Sequence, residues 1–486
     1  MKCNKHNISK TRKMKNKKVY VVIEAFTTKE INKCRKFINS PYFNKNDNII
    51  HLFNFIVSEI KQDHSREIKD IEIWNTLEPS KTFNSVRLRK YFSDLLKLIE
   101  RFIAQEEYES KPIQKATLLL QGISSRKLDK LNSTSIKTAL KLSSEQKEES
   151  RDGYFYNYQV EQLINSLSNS HDSFRELNLD TISMNLDTYY LIEKLRLYCQ
   201  LLNVKFQKKT EEDILLMSPI IEHIRNHDYA HIPQLNIYYQ IFNSYRDKDN
   251  LDHYYKLRKL LKEHGGNFNK LEATEMYNFA INYIALKINQ GHDDFLLEYF
   301  TLYEDLLNKE VIFDNEELPS KHFFNVITIA LRLQKYEWVA NFIDIYSLRI
   351  NTKERENAVS YTTAQLNFYK KDFNKVLEHL RYTEYFDLWR KLNSKVMLIN
   401  TYVELKEVEP LFSLLDSFRT FLGRNTQINK ENKDAYLKLI KFVRKYVSIQ
   451  PNETNKLKAL HTKIEESSSF YSKNWLIEKI NSNLNN

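Results

Sequence analysis

Apolar positions recur at helical spacing over nearly the whole chain. Thr27 followed by Glu30 has capping-box spacing, in which the two residues satisfy orphan amides of a first helical turn. Ile31, Cys34, Phe37 and Ile38 then line one side of the helix so opened. Ser40-Pro41 ends it, because the residue before proline is driven out of the α region. Asp47 is placed to cap a second helix carrying Ile49, Ile50, Phe53, Ile56, Val57 and Ile60. A third includes Ile68, Ile71, Ile73, Trp74 and Leu77 and stops at Pro79. A fourth starts at about Asn84 and is expected to bury Val86, Leu88, Phe92, Leu95, Leu96, Ile99, Phe102 and Ile103. Together they predict a helical N-terminal domain over residues 19–108. Its connector Pro41-Tyr42-Phe43-Asn44 is aromatic where a loop is ordinarily polar.

Residues 109–152 are more polar and predict a helical connector, with Ser143–Asp152 as the linker. Periodicity returns at Tyr154. The segment Tyr189–Phe206 presents Leu191, Ile192, Leu195, Leu197, Tyr198, Leu201, Leu202 and Phe206 as an amphipathic helix. No stretch alternates in the manner of a strand. Further on, the pattern repeats. An apolar helix, a tight polar corner and a second apolar helix recur around Tyr336, Phe373 and Val408, which lie 37 and 35 residues apart. Looser copies have corners near Asp249–Leu251 and His292–Phe295. Such periods signal stacked units, none able to bury its apolar face alone.

These units resemble degenerate tetratricopeptide repeats over residues 235–425. The clearest match is Leu366-Asn-Phe-Tyr-Lys-Lys-Asp372-Phe373-Asn-Lys-Val376. The resemblance implies antiparallel helix pairs stacked into a right-handed superhelix, with a concave face that takes a protein or peptide. It departs from the family where Lys371 replaces the turn glycine and where Val339, Val376 and Leu411 replace the small residue of the second helix. The closing proline is also missing, and no ligand clamp carries over. Separately, Ser40–Asn44 and the Arg87–Phe102 helix resemble bacterial helical proteins that share a Ser-Pro-Tyr-Phe-Asn segment, a resemblance that implies no activity. The expected architecture is all-α: a tail over 1–18, the N-terminal domain, the connector, an α-solenoid over 153–425 and a helical cap over 426–486.

Composition supports helices and removes several chemistries. The chain has six glycines in 486 residues, where average usage gives about 34. Glycine supplies positive φ and close backbone approach, so few tight turns and few phosphate-cradling loops are expected. No G-x-G-x-x-G is present, and Pro79-Ser80-Lys81-Thr82 lacks the glycines of a phosphate loop. Asp247-Lys-Asp249-Asn-Leu-Asp252 opens like a calcium loop but has neither its central glycine nor its final glutamate. The net charge is +11. Lys2, Lys5, Lys10, Arg12, Lys13, Lys15, Lys17 and Lys18 sit in the first 18 residues, and removing them leaves +3. The basic signal is therefore a disordered tail, for which Met14 offers an alternative start. Three distant cysteines, Cys3, Cys34 and Cys199, form no metal or disulfide pattern and suit a reducing cytoplasm. No run reaches the ~20 apolar residues of a membrane helix.

Candidate sites follow. His223, His227 and His231 recur every four residues. Two imidazoles at that spacing on one helical face can ligate zinc, but Asn226-His227-Asp228 reads as a helix end, so no metal site is expected. Arg87, Lys90, Lys97 and Arg101 share a face of the helix over 84–107 and, with the basic tail, form the candidate nucleic-acid surface. Tyr238, Tyr239, Asn278, Tyr283, Asn325 and Asn367 are the candidate groove contacts, since Tyr and Asn combine contact area with hydrogen bonding. No convergent acid, base and nucleophile set is visible, and no cofactor is expected. The reading is a non-catalytic protein- or peptide-binding scaffold, with nucleic-acid binding by the N-terminal domain as the alternative.

Overall fold

The computed structural model describes residues 17–62, 68–145, 150–168, 178–208, 214–380, 387–450 and 453–485. The tail residues Lys2 to Lys15, Cys3 and part of Ser143–Asp152 lie outside them, as does the side chain of Phe206. The fold is all-α, with no strand among the described residues. The chain divides into two compact units between Leu191 and Ile192.

In the first unit, α1 (Lys18–Glu24), α2 (Thr28–Asn39), α3 (Asp47–Gln62), α4 (Asp70–Leu77) and α5 (Ser85–Ser110) enclose one core built on Ile23, Cys34, Leu52, Ile56, Trp74, Leu95 and Ile99. The Thr27 capping box forms: the Glu30 amide donates to Thr27 Oγ1 at 3.2 Å, and the Thr27 amide to Glu30 Oε2 at 2.8 Å. Helix α1 is an element the sequence pattern did not predict. Val86 and Ile103, expected in the core, are 67% and 44% exposed. They flank the buried stripe Leu88, Phe92, Leu95, Ile99 and Phe102, and helical geometry turns them away from it.

The described residues of 109–152 are largely helical. They carry α6 (Pro112–Arg126) and α7 (Asn132–Ser144), which pack with α8 (Arg151–Ser168) around Ile113, Ala116, Leu120, Ala139, Val160 and Ile164. Their apolar stripe is narrow, about one residue per turn, so polar composition hides it. Helix α9 (Leu179–Lys208) contains the division between the units.

The second unit continues with α10 (Met217–Asn226), α11 (Pro233–Arg246), α12 (Asp252–His264), α13 (Lys270–Asn289), α14 (Phe295–Asn308), α15 (Ser320–Arg332), α16 (Tyr336–Tyr346), α17 (Thr352–Tyr369), α18 (Phe373–Leu380), α19 (Leu388–Leu405) and α20 (Val408–Arg424). The last three are α21 (Lys430–Val447), α22 (Thr454–Glu465) and α23 (Lys473–Asn485). From α11 onward each helix packs on the next, and α11 also packs on α13, α15 on α17 and α17 on α19. Tyr336, Phe373 and Val408 open α16, α18 and α20, as the repeat spacing predicts. One core runs from Leu392 to Ile480, so the helices after residue 425 share it with α19 and α20.

The corners correct the expectation drawn from glycine scarcity. Gln334, Lys371 and Lys406 adopt φ of 58°, 61° and 58°, and Gly291 adopts 99°. At each, the next amide reaches back five residues: Lys335 to the Ala330 carbonyl at 2.9 Å, Asp372 to Asn367 at 2.9 Å, Glu407 to Tyr402 at 2.9 Å and His292 to Lys287 at 3.1 Å. This is the Schellman closure, which satisfies helix-end carbonyls. Tight left-handed turns are present; lysine and glutamine make three of these four. A left-handed residue with a Cβ is strained by roughly 1–2 kcal/mol. Gln334→Gly, Lys371→Gly and Lys406→Gly are therefore each expected to stabilise the second unit by ~0.5–1 kcal/mol. The three gains should add in urea-unfolding midpoints, because the sites are distant. Gly291→Ala should shift the midpoint the other way by about 1 kcal/mol.

Candidate functional site

The candidate groove residues divide by burial. Tyr238 is fully buried on α11, and its hydroxyl makes no hydrogen bond. Burial pushes its ionisation well above the usual tyrosine range. Tyr283 is fully buried on α13; it donates to the Lys248 carbonyl at 3.1 Å and stacks on Tyr254 with centroids 5.3 Å apart. Neither can touch a partner, which corrects the expectation for both. Their positions were readable: Tyr238, Ile241, Phe242 and Tyr245 fall on one helical row, and all are buried. Where alanine is scarce, aromatics fill the helix interfaces. Asn325 donates to the Tyr303 hydroxyl at 3.1 Å and Asn367 to the Thr363 carbonyl at 2.9 Å, so both side-chain amides have internal partners. Tyr239 and Asn278 are half-buried on α11 and α13.

His223 and His227 stack face to face, with centroids 4.1 Å apart and planes 27° from parallel. Imidazole lone pairs lie in the ring plane, so near-parallel rings do not converge on one ion. His223 Nε2 pairs with the Tyr229 hydroxyl at 2.7 Å and His227 Nδ1 with the His223 carbonyl at 2.8 Å. His231 lies beyond the helix end, with its ring 6.5 Å from that of Tyr229. Among the described residues, no group of three or more His, Cys, Asp or Glu side chains is arranged to hold a metal ion.

On α5, Arg87 is committed internally. It pairs with Glu78 at 2.8 Å and donates to the Tyr91 hydroxyl at 2.7 Å. Glu78 also accepts from Tyr91 at 2.7 Å and Asn48 at 3.1 Å and pairs with Lys81 at 2.6 Å. The Lys81 and Tyr91 hydrogen bonds, with Arg87 nearby, hold its carboxyl below the usual glutamate range. Lys90, Lys97 and Arg101 remain exposed on the same helix.

Two clefts of the second unit are lined by charged side chains. One, of about 510 Å³, is lined by Asp314, Glu317, Lys321, Asn351, Glu354 and Arg390 among others. Its charges are mixed and largely engaged: Asn351 donates to Glu317 at 3.1 Å, Ser320 bonds Glu354, and Arg390 pairs with Asp387. The other, of about 420 Å³, is lined by Arg419 of α20 and by Leu437, Ile440, Lys441, Arg444 and Lys445 of α21. Leu437 is 37% exposed and Ile440 is buried. Arg444 pairs with Asp416, while Arg419, Lys441 and Lys445 are exposed. Sequence reasoning missed this cleft. Its signal was the row Leu437, Lys441 and Lys445 at four-residue spacing, which shares one helical face.

No family model, curated protein or solved structure matches the chain.

Asn325 belongs to a buried group that titrates. The Tyr303 hydroxyl lies 3.4 Å from His322 Nδ1, and burial, with Lys321 beside it, lowers the His322 pKa to about 4. A histidine held neutral in the fold contributes fully above the unfolded value of 6.5 and is lost as pH falls from there towards 4. Stability of the second unit should drop by on the order of 3 kcal/mol across that window. His322→Gln should flatten that part of the profile in urea melts taken between the two limits.

Proposed function

We propose that this chain is a binding protein without chemistry of its own, taking an acidic polypeptide segment with an apolar anchor on its second unit. The observation that carries this is the α20–α21 cleft. It has an apolar floor at Leu437 and Ile440, and exposed cations at Arg419, Lys441 and Lys445 around it. An apolar floor rewards a buried side chain. Charge complementarity at the rim sets which partners approach and how fast. Tyr239 and Asn278 are further contact candidates on the helical pairs, which we read as degenerate tetratricopeptide units. A reducing, cytoplasmic setting fits the buried thiols of Cys34 and Cys199; burial pushes Cys34 up to about 12. No helix among the described residues is long and apolar enough to cross a membrane. The reading calls for no cofactor.

A fluorescein-labelled peptide of alternating Glu and Leu residues tests it by anisotropy. Binding should weaken with added salt, and Lys441→Glu combined with Lys445→Glu should raise Kd by about tenfold or more. Both side chains are exposed, so the fold is retained. Binding indifferent to this charge reversal removes the cleft as the site.

A further inference from the structure

The loop between α2 and α3 is firmly built yet leaves one large side chain outside the core. Asn44 is 9% exposed; its Nδ2 donates to the Ile38 and Asn46 carbonyls, each at 3.1 Å, and its Oδ1 accepts from the Asn46 amide at 2.9 Å. The Phe43 and Asn44 amides both donate to the Ser40 carbonyl, at 3.0 and 2.9 Å. The Phe43 ring stacks on Phe37 with centroids 4.0 Å apart, and the Arg101 guanidinium lies 5.2 Å from the Phe43 centroid. Tyr42 projects from this frame at 84% exposure and touches Phe43 edge-on. It adds little to the core, and the pinned backbone means that a ligand would not have to order it.

The charges of the loop itself have one sign. The segment from Lys36 to Asn46 contains Lys36 and Lys45 and no acid. Helix α5 adds Arg101 and, one turn earlier, Lys97; Asp94, 4.0 Å from Lys97, is the counter-charge on that row. An exposed flat ring beside cations suits a base stacked on the ring with its phosphates on the lysines and arginine. An acidic protein fits less well. A stable protein interface covers about 800 Å² on each side, and a single projecting ring supplies little of that area. A duplex keeps its bases stacked and offers no free face.

We propose that Tyr42, braced by Phe43, with Arg101 of α5 over the Phe43 ring and Lys97 one helical turn before Arg101, is a stacking platform for single-stranded nucleic acid on the first unit. This is a function separate from peptide binding at the α20–α21 cleft.

The full-length chain titrated against a fluorescein-labelled oligothymidylate, by anisotropy at two salt concentrations, tests it. Binding should weaken as salt rises. Tyr42→Ala should raise Kd by about tenfold or more, whereas Tyr42→Phe, which keeps the ring face, should bind like the parent. Lys97→Glu with Arg101→Glu should weaken binding and reduce the salt slope. Photocrosslinking with 5-iodouracil in the same strand should map to Tyr42. Three results overturn the proposal: no salt-sensitive binding, affinity unchanged by Tyr42→Ala, or a duplex of the same length binding as tightly as the single strand. Unchanged affinity in Tyr42→Ala would assign the binding to cations elsewhere, including the basic tail.

Discussion

The second unit depends on the backbone closure that turns one helix into the next. An α-helix ends with carbonyls that have no partner inside it. At Gln334, Lys371, Lys406 and Gly291 a single left-handed residue lets the following amide reach back five positions and satisfy one of them. The same step reverses the chain. It brings Tyr336, Phe373 and Val408 to the start of α16, α18 and α20, where the second apolar face can close on the first. Three of these four steps are made by residues that carry a Cβ, so the strain of each is offset by the packing and hydrogen bonds it permits.

That constraint also decides what is left for function. Paired helices bury their widest side chains against one another. Tyr238 and Tyr283 are consumed there, and Tyr254, Tyr277 and Tyr303 are buried with them. Surfaces open to a partner therefore arise where packing is incomplete, not where aromatics are most abundant. The α20–α21 cleft keeps cations around an apolar floor. In the first unit, by contrast, Arg87 is drawn into the cluster around buried Glu78, and the exposed chemistry moves to Tyr42 and Arg101.

Much of this was legible in the chain. Periodicity and capping placed α2 to α5, and the repeat spacing placed the first residues of α16, α18 and α20. A short stripe escaped: α1 is one such element. The region of α6 and α7 was expected to be helical, but their packing on α8, carried by about one apolar residue per turn, was not readable from its polar composition. Glycine count misled for a physical reason. It measures how cheaply a chain can turn left-handed, not whether it does, and Lys371 turns without it. Site residues were less legible than the fold. Tyr238 and Tyr239 are adjacent, yet one lies on the buried row and the other at its edge. The α20–α21 cleft needs Arg419 from a different helix, a juxtaposition that no local pattern contains.

Amide hydrogen exchange at the helix corners tests the central structural claim. If the left-handed closures hold the pairs together, the amides of Lys335, Asp372 and Glu407 should exchange slowly, together with the helix interiors they bond to. Exchange at those three amides as fast as in open loop backbone, with the flanking helices still protected, would contradict it.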